Sequence, residues 1–225
     1  MGDFNRSMEY PTIAILGGTG KEGTGLAIRW AVAGYKILIG SRTLEKAKLT
    51  AEKINNQLGI FTVEGLINHE AAKQADICVL TVVHTAHRQI LESVRQGLDG
   101  KILVDTTSRV DYRDPQPPLP PCAAQEAQEF FGKSVKVVAA FQNIPAKSLM
   151  NKIGQEIDAD VLICSEDIAA AEQVVALAKS AGMRGFYAGG LANANIVEGM
   201  TTILISLNKY YGSRNASIKI TGISA

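Results

Sequence analysis

The stretch Thr12-Ile13-Ala14-Ile15-Leu16-Gly17-Gly18-Thr19-Gly20-Lys21-Glu22-Gly23 decides the fold. A short, continuous apolar run ends abruptly in glycines, the pattern of a strand buried on both faces that turns at once into a loop. Beyond it, Leu26, Ile28, Trp30 and Ala33 recur at helical spacing and Gly34 stops them, so a helix is expected over Gly25 to Ala33. Lys36-Ile37-Leu38-Ile39-Gly40 reads as a second buried strand. Strand, loop, helix and strand within about 30 residues are the context in which Gly18-x-Gly20-x-x-Gly23 reads as a dinucleotide-binding loop. Gly18 then permits the tight turn, Gly20 lets the backbone approach a pyrophosphate, and Gly23 lets the helix pack on the strand. The helix N-terminus adds free N–H groups and a partial positive charge.

The alternation continues outward. Helices are expected over Thr43 to Leu58, with Thr43 as N-cap, then over Asn68 to Gln74, Thr85 to Gln96 and Ala123 to Phe131. Strands are expected over Val63 to Leu66, Asp76 to Val82, Lys101 to Asp105 and Val135 to Ala140. This is an α/β pattern, a Rossmann-type doubly wound parallel sheet covered on both faces. Asp114 to Pro121 interrupts it with Pro115, Pro117, Pro118, Pro120 and Pro121, and reads as an extended connector, or alternatively a lid or dimer contact. After Met150 come a strand at Val161 to Cys164, an alanine-rich helix over Ile168 to Ala181, and a strand from Gly185 running to Gly190. An apolar helix follows over Asn195 to Leu207, with a last strand expected at Ser217 to Ile220. That helix is apolar almost all round, so it is buried in the chain or in a partner subunit. Residues 1–150 are thus expected to form the nucleotide-binding domain and residues 151–225 a small C-terminal α/β domain.

Composition excludes several classes. Lys and Arg number 23 and Asp and Glu 22, which leaves no basic excess for nucleic acid. Cys78, Cys122 and Cys164 are far apart and form no CxxC pair, so neither a zinc site nor a disulfide framework is indicated, and a reducing cytoplasm is expected. The first ten residues are polar and hold no apolar signal core, and no apolar run approaches the roughly 18 residues of a membrane span.

The end of the second strand selects the cofactor. An NAD enzyme usually carries Asp or Glu there for the ribose 2′-hydroxyl. Here Gly40-Ser41-Arg42 offers no acid, and Lys46 stands one turn further on, so Ser41, Arg42 and Lys46 are expected to hold the 2′-phosphate of NADP. His84 follows Thr81-Val82-Val83 at the carboxyl end of a strand, where ligands bind in such sheets, but His84 and His87 alone do not make a metal site. Phe141-Gln142-Asn143-Ile144-Pro145-Ala146 also follows a strand; it could present backbone groups to a nicotinamide ring or be a plain turn. No Ser-His-Asp set and no paired carboxylates stand out, so no acid–base catalytic residue is assigned. Hydride transfer needs two rings held face to face rather than a strong acid or base.

These residues resemble a known family. Ile13 to Gly20, Ile39-Gly40-Ser41-Arg42 with Lys46, Val79-Leu80-Thr81-Val82, Ala140 to Ala146, Gly189 to Ala194 and Arg214 to Thr221 look like the archaeal deazaflavin (coenzyme F420)-dependent NADP oxidoreductases. The resemblance runs over nearly the whole chain, and its most specific parts are Asn143 to Ala146 and the tail. It implies phosphate contacts from Thr19, Gly20, Lys21 and Glu22, with Val83 and His84 beside the cofactor and Ala146 near the nicotinamide amide. It implies a deazaflavin over Gln142, Asn143, Ile144 and Pro145, with Ala216-Ser217 closing the pocket, and a homodimer whose contact and acceptor pocket involve the C-terminal domain. The expected activity is reversible hydride transfer between NADP(H) and coenzyme F420. The competing readings are an NADPH-dependent reductase of a flavin or small carbonyl compound, and a non-catalytic NADP(H) sensor.

Overall fold

The computed structural model describes residues 10–151 and 153–223; the first nine residues of the N-terminal stretch read for a signal lie outside them. The first apolar run forms β1 (Ile13–Leu16), fully buried, at the middle of a six-stranded sheet. Its neighbours are β2 (Ile37–Ser41) and β4 (Ile77–Leu80), both parallel to it. Beyond them lie β3 (Val63–Ile67) on one side and β5 (Ile102–Asp105) and β6 (Lys136–Ala139) on the other, giving the order β3-β2-β1-β4-β5-β6. All five pairings are parallel. The chain winds outward from β1 in both directions, so a crevice opens past the carboxyl ends of β1 and β4, where ligands bind in open α/β sheets.

Successive residues of β1 point to opposite faces. Ile13 and Ile15 join one core with Trp30, Ile37, Ile39 and Val79; Ala14 and Leu16 join the other with Leu38, Cys78 and Leu80. The first face carries α1 (Lys21–Val32), α2 (Leu44–Leu58) and α7 (Ile168–Ser180). The second carries α3 (Asn68–Gln74), α4 (His84–Val94), α5 (Ala123–Phe131) and α8 (Leu191–Tyr210). The short α6 (Ala146–Met150) follows β6. Residues after 150 add a parallel pair, β7 (Asp160–Ile163) and β8 (Arg184–Tyr187). An antiparallel bridge between Ala139 and Cys164 joins this pair to the end of β6. Val161, Ile163, Val174 and Leu177 pack into the same core as Ile13 and Trp30, and the Trp30 indole donates to the Leu177 carbonyl.

Several expectations are corrected. Helix α1 starts at Lys21 rather than Gly25. Its glycines are kept by close packing: a Cβ on Gly25 would meet Leu149 of α6 at 2.6 Å. Thr43 holds the N-cap position of α2 without a side-chain cap; the Ser41 hydroxyl accepts the Thr43 N–H instead. Helix α8 extends beyond both expected ends, and β8 stops at Tyr187. No strand forms over Ser217 to Ile220. The Asp160 N–H reaches the Ile218 carbonyl, but the Asp160 carboxylate accepts the Ile220 N–H, replacing the next rung of a ladder. The proline-rich segment is irregular, as expected.

Candidate active site

The glycine loop is built by close approach. Gly17 has φ +71°, and a Cβ there would lie 2.3 Å from Val82 Cγ1, so the left-handed residue of the turn is Gly17 and not Gly18. Gly18 is needed for another reason: its N–H donates to the Ile15 and Gly40 carbonyls, and a Cβ would meet the Ile15 oxygen at 2.7 Å. At Gly23 a Cβ would lie 2.6 Å from Thr81 Oγ1, which sets the packing of α1 against the end of β4. Gly20 differs from all three. It is the N-cap of α1, and a Cβ built there meets nothing within 4 Å. Its Cα therefore faces open space where the unpaired N–H groups of the first helical turn converge, a cradle for an anion.

That space is part of a cleft of about 520 Å³, lined by Thr19, Gly20, Ser41, Arg42, Lys46 and Val83 among others. No acidic side chain lines it. Ser41 is buried, while Arg42 and Lys46 stand exposed at the rim. Asn68 fixes the floor by accepting the Gly17 N–H at 3.1 Å. A phosphate cradle, two rim cations and an acid-free wall fit a dinucleotide with a 2′-phosphate.

At the other end of the crevice, α1 meets the exit of β5. Lys21 is exposed, and Glu22 beside it is half-buried, near Thr106. Burial pushes the Glu22 carboxyl up to about 7, with the nearby Asp105 charge adding to the rise and Thr106 opposing it. Asp105 is fully buried and lies 2.7 Å from His87 Nε2. Burial works against a charged His87, yet the Asp105 hydrogen bond and the neighbouring carboxylates outweigh it and raise its pKa. Gln142 donates to the Asp105 carbonyl at 2.8 Å, which leaves its buried Oε1 without a partner; Thr107 Oγ1 and Thr202 Oγ1 are likewise orphaned. Each of these orphaned atoms has hydrogen-bonding capacity that the described residues leave unused.

The segment Gln142 to Ala146 splits. Asn143 is fully buried, and its amide bonds Asp160 and Leu162 of β7; Ile144 is in the core. Gln142, Pro145 and Ala146 remain partly exposed, with Pro145 the N-cap of α6 and Ala146 its first residue. His84 opens α4 but faces a separate cavity of about 760 Å³ between α4 and α5, where its ring lies 3.2 Å from Glu126. Ala216 donates its N–H to Asn208, and the tail runs on beside the start of β7, the strand end that Asn143 also grips.

Sequence reasoning missed Asn68, His87, Asp105, Thr106 and Glu198. Asp105 and Thr106 carried a signal, being the first polar residues at the carboxyl end of an apolar strand run. Glu198, inside an apolar helix, accepts from the Arg109 N–H and guanidinium and from the Ala123 N–H. The three cysteines are free and buried, and burial lifts Cys78 to about 12 and Cys122 and Cys164 to about 11, so none offers a thiolate. No group of three or more metal-ligating side chains occurs among the described residues, and none of their helices is long and apolar enough to cross a membrane.

Comparison with known proteins bears on this geometry directly. Residues 12–109, which hold the whole glycine loop and both rim cations, match the family model described as NADP oxidoreductase, coenzyme F420-dependent. The F420-dependent NADP reductase of Methanothermobacter thermautotrophicus is 40% identical, over 94% of this chain and 95% of its own length. That of Methanocaldococcus jannaschii is 36% identical, over 94% of this chain and 98% of its own. A solved structure from Arthrobacter sp. FB24, described there as a candidate F420-dependent NADP reductase, superposes with a TM-score of 0.81 at 26% identity and covers 94% of this chain and all of that one. With relatives 36–40% identical over 94% of its length, the chain belongs to the family of coenzyme F420-dependent NADP oxidoreductases.

Proposed function

We propose that the protein transfers a hydride reversibly between NADP(H) and the deazaflavin coenzyme F420. The observation that carries this reading is the acid-free cleft in which the Gly20 cradle and the Arg42 and Lys46 rim are spaced along one crevice. When bound, the two coenzymes would supply the chemistry, since each can carry a hydride on a ring carbon in its reduced form and accept one in its oxidised form. The chain binds and orients them. Thr19, Gly20 and the N–H groups of Lys21 and Glu22 hold the pyrophosphate; Ser41, Arg42 and Lys46 hold the 2′-phosphate. Val83, Gln142, Pro145 and Ala146 form the wall against which the two rings are brought together. The buried side chains of Asn143 and Ile144 support that wall from behind, and the tail at Ala216 borders it. His84, next to Val83, faces the separate cavity between α4 and α5 and stands outside that wall.

The assembly is a homodimer in this reading, supported by the exposed apolar residues of α8, and residues 151–223 complete the acceptor pocket. The three free thiols support a cytoplasmic setting. The test is to mix the protein with F420 and NADPH labelled at the transferable hydrogen. The visible absorbance of the deazaflavin falls, and the label appears on it without washing out to water. Reduction of flavins or carbonyl compounds with F420 left untouched would replace the acceptor. NADPH binding with no reduction of any acceptor would favour a sensor.

A further inference from the structure

The edge of β7 that faces away from β8 carries three different pieces of chain in succession. Alternate N–H groups of a strand point to the same edge, here those of Asp160, Leu162 and Cys164. The first donates to the Ile218 carbonyl of the tail at 2.9 Å, the second to the Asn143 side chain at 3.4 Å, and the third to the Ala139 carbonyl at 2.9 Å. The Asp160 carbonyl accepts the Asn143 amide at 2.7 Å. The tail, residues 213–223, and the segment Gln142 to Ala146 therefore lie side by side on one strand end and meet at Asp160.

Side chains, more than a ladder, hold the tail there. Past the bond to Ile218, the Asp160 carboxylate accepts the Ile220 N–H at 2.5 Å. Arg184, the cross-strand neighbour of Asp160 at the start of β8, donates to both oxygens of that carboxylate, at 2.9 and 2.5 Å. Arg184 Nη2 also donates to the Ile220 carbonyl at 2.8 Å. Both backbone groups of Ile220 thus end on one ion pair, with the Asp160 side chain buried and Arg184 41% exposed. The Ile220 side chain rests half-buried on the core. The Ser217 hydroxyl and the Lys219 amine reach Asp158, but both contacts are exposed and add little.

We propose that Asp160 and Arg184 are positioning residues for the acceptor: they dock the tail against the Gln142 to Ala146 wall and so set the affinity for the deazaflavin, while leaving the NADP(H) cleft alone. This rests on the F420 reading above and deepens it. A pocket closed by the tail binds its ligand only in molecules whose tail is docked. The apparent dissociation constant is then the intrinsic one divided by the docked fraction. The fork of Arg184 on a carboxylate is a strong, geometry-bound contact, and its loss lowers that fraction. The residues lining the phosphate cleft run from Gly17 to Ile90, so an undocked tail does not disturb them.

The experiment compares the full wild-type chain with Arg184→Ala and Arg184→Lys. Steady-state kinetics with NADPH and F420 give kcat and the KM of each coenzyme. Limited trypsin digestion without either coenzyme follows cleavage after Lys219, which is exposed in the tail. Arg184→Ala raises the KM for F420 about tenfold, with kcat and the NADPH dissociation constant within roughly twofold, because saturating F420 pulls the tail back into place. The same variant is cut faster after Lys219. Arg184→Lys keeps the charge without the fork and falls between the two. Cleavage after Lys219 as slow in Arg184→Ala as in the wild type overturns the clamp. Faster cleavage with the KM for F420 unchanged overturns its link to the acceptor. If Arg184→Ala unfolds, seen as lost NADPH binding, Arg184→Lys decides: a raised KM for F420 with NADPH affinity intact supports the inference, and an unchanged KM overturns it. Wild-type protein that binds NADPH but reduces no F420 overturns the acceptor reading and the inference with it, and the digestion then still reports whether Arg184 holds the tail.

Discussion

The Asn143 amide donates to the Asp160 carbonyl at 2.7 Å, and its Oδ1 accepts the Leu162 N–H at 3.4 Å. One side chain therefore knits the exit of β6 to β7, just beyond the bridge from Ala139 to Cys164. The proposed ring wall at Gln142, Pro145 and Ala146 is held by this stitch, and Asn143 itself does not face the cleft.

Asn143→Ala should accordingly cost stability more than coenzyme affinity. It strips partners from two backbone groups in a buried setting, a loss of about 1–3 kcal/mol. Urea unfolding should show that loss, with the NADPH dissociation constant changed by less than roughly threefold. Unchanged stability with weakened NADPH would place the amide against the coenzyme.

The buried His87–Asp105 pair predicts a pH-dependent stability. The folded state raises the His87 pKa, so the pairing contributes fully below the unfolded histidine value of about 6.5 and is lost as pH climbs through the higher folded value. His87→Leu leaves Asp105 buried with only the Thr107 N–H on its other oxygen, a loss of about 3–5 kcal/mol at mildly acidic pH. Denaturation at several pH values should show the gap between wild type and variant narrowing toward alkaline pH. A gap of constant size would mean that folding leaves the His87 pKa at its unfolded value.

Two glycines of one loop should fail differently. Gly20→Val meets no protein atom at its Cβ, so the fold should survive while the side chain fills the cradle and NADPH binding is abolished. Gly23→Ala drives a methyl into Thr81 and Gly18, at a cost of about 1–3 kcal/mol. Thermal unfolding with and without NADPH separates the two. Equal destabilisation would remove the distinction between cradle and packing.

This contrast marks what a one-dimensional reading can and cannot supply. The strands were legible because each is a short apolar run between polar residues, and the loop because its glycine spacing sits between a strand and a helix. The onset of α1 was hidden, since glycine is a poor helix former and its packing partners at Leu149 and Thr81 lie far along the chain. Asp105 was visible as the polar end of a strand, but nothing local names His87 as its partner. Glu22 sits in the fingerprint at a position where any residue is tolerated, and only the folded chain brings it near Thr106. Glu198 was lost in the apolar average of α8, because its partners Arg109 and Ala123 come from other elements.

Arg42 tests the choice of cofactor. It is exposed at a rim without acids, free to meet a 2′-phosphate. Arg42→Ala should weaken NADPH by about 10- to 100-fold, from the loss of roughly 1.5–3 kcal/mol, and leave NADH nearly unchanged. Equal losses for both would show that Arg42 reads something other than the phosphate.

The last prediction concerns the outer face of α8. Ile196, Ile203, Leu207 and Tyr210 are all exposed, at 62%, 60%, 40% and 83%, and recur at spacings that place them on one stripe. The opposite face packs inward through Ala194, Val197 and Glu198. Single exposed apolar residues need no explanation, but a stripe running more than half the length of a helix marks a contact. A two-fold dimer would bury it against its own copy, so a substitution enters the interface twice. Ile203→Glu loses about 1.5–3 kcal/mol of apolar burial per copy and should weaken dimerisation by roughly 100-fold or more. Sedimentation should show wild-type protein as a dimer and the variant as a monomer at the same concentration, with the thermal stability of the folded chain retained. A wild-type monomer, or a variant dimer as tight as the wild type, would mean that this stripe is covered by something else.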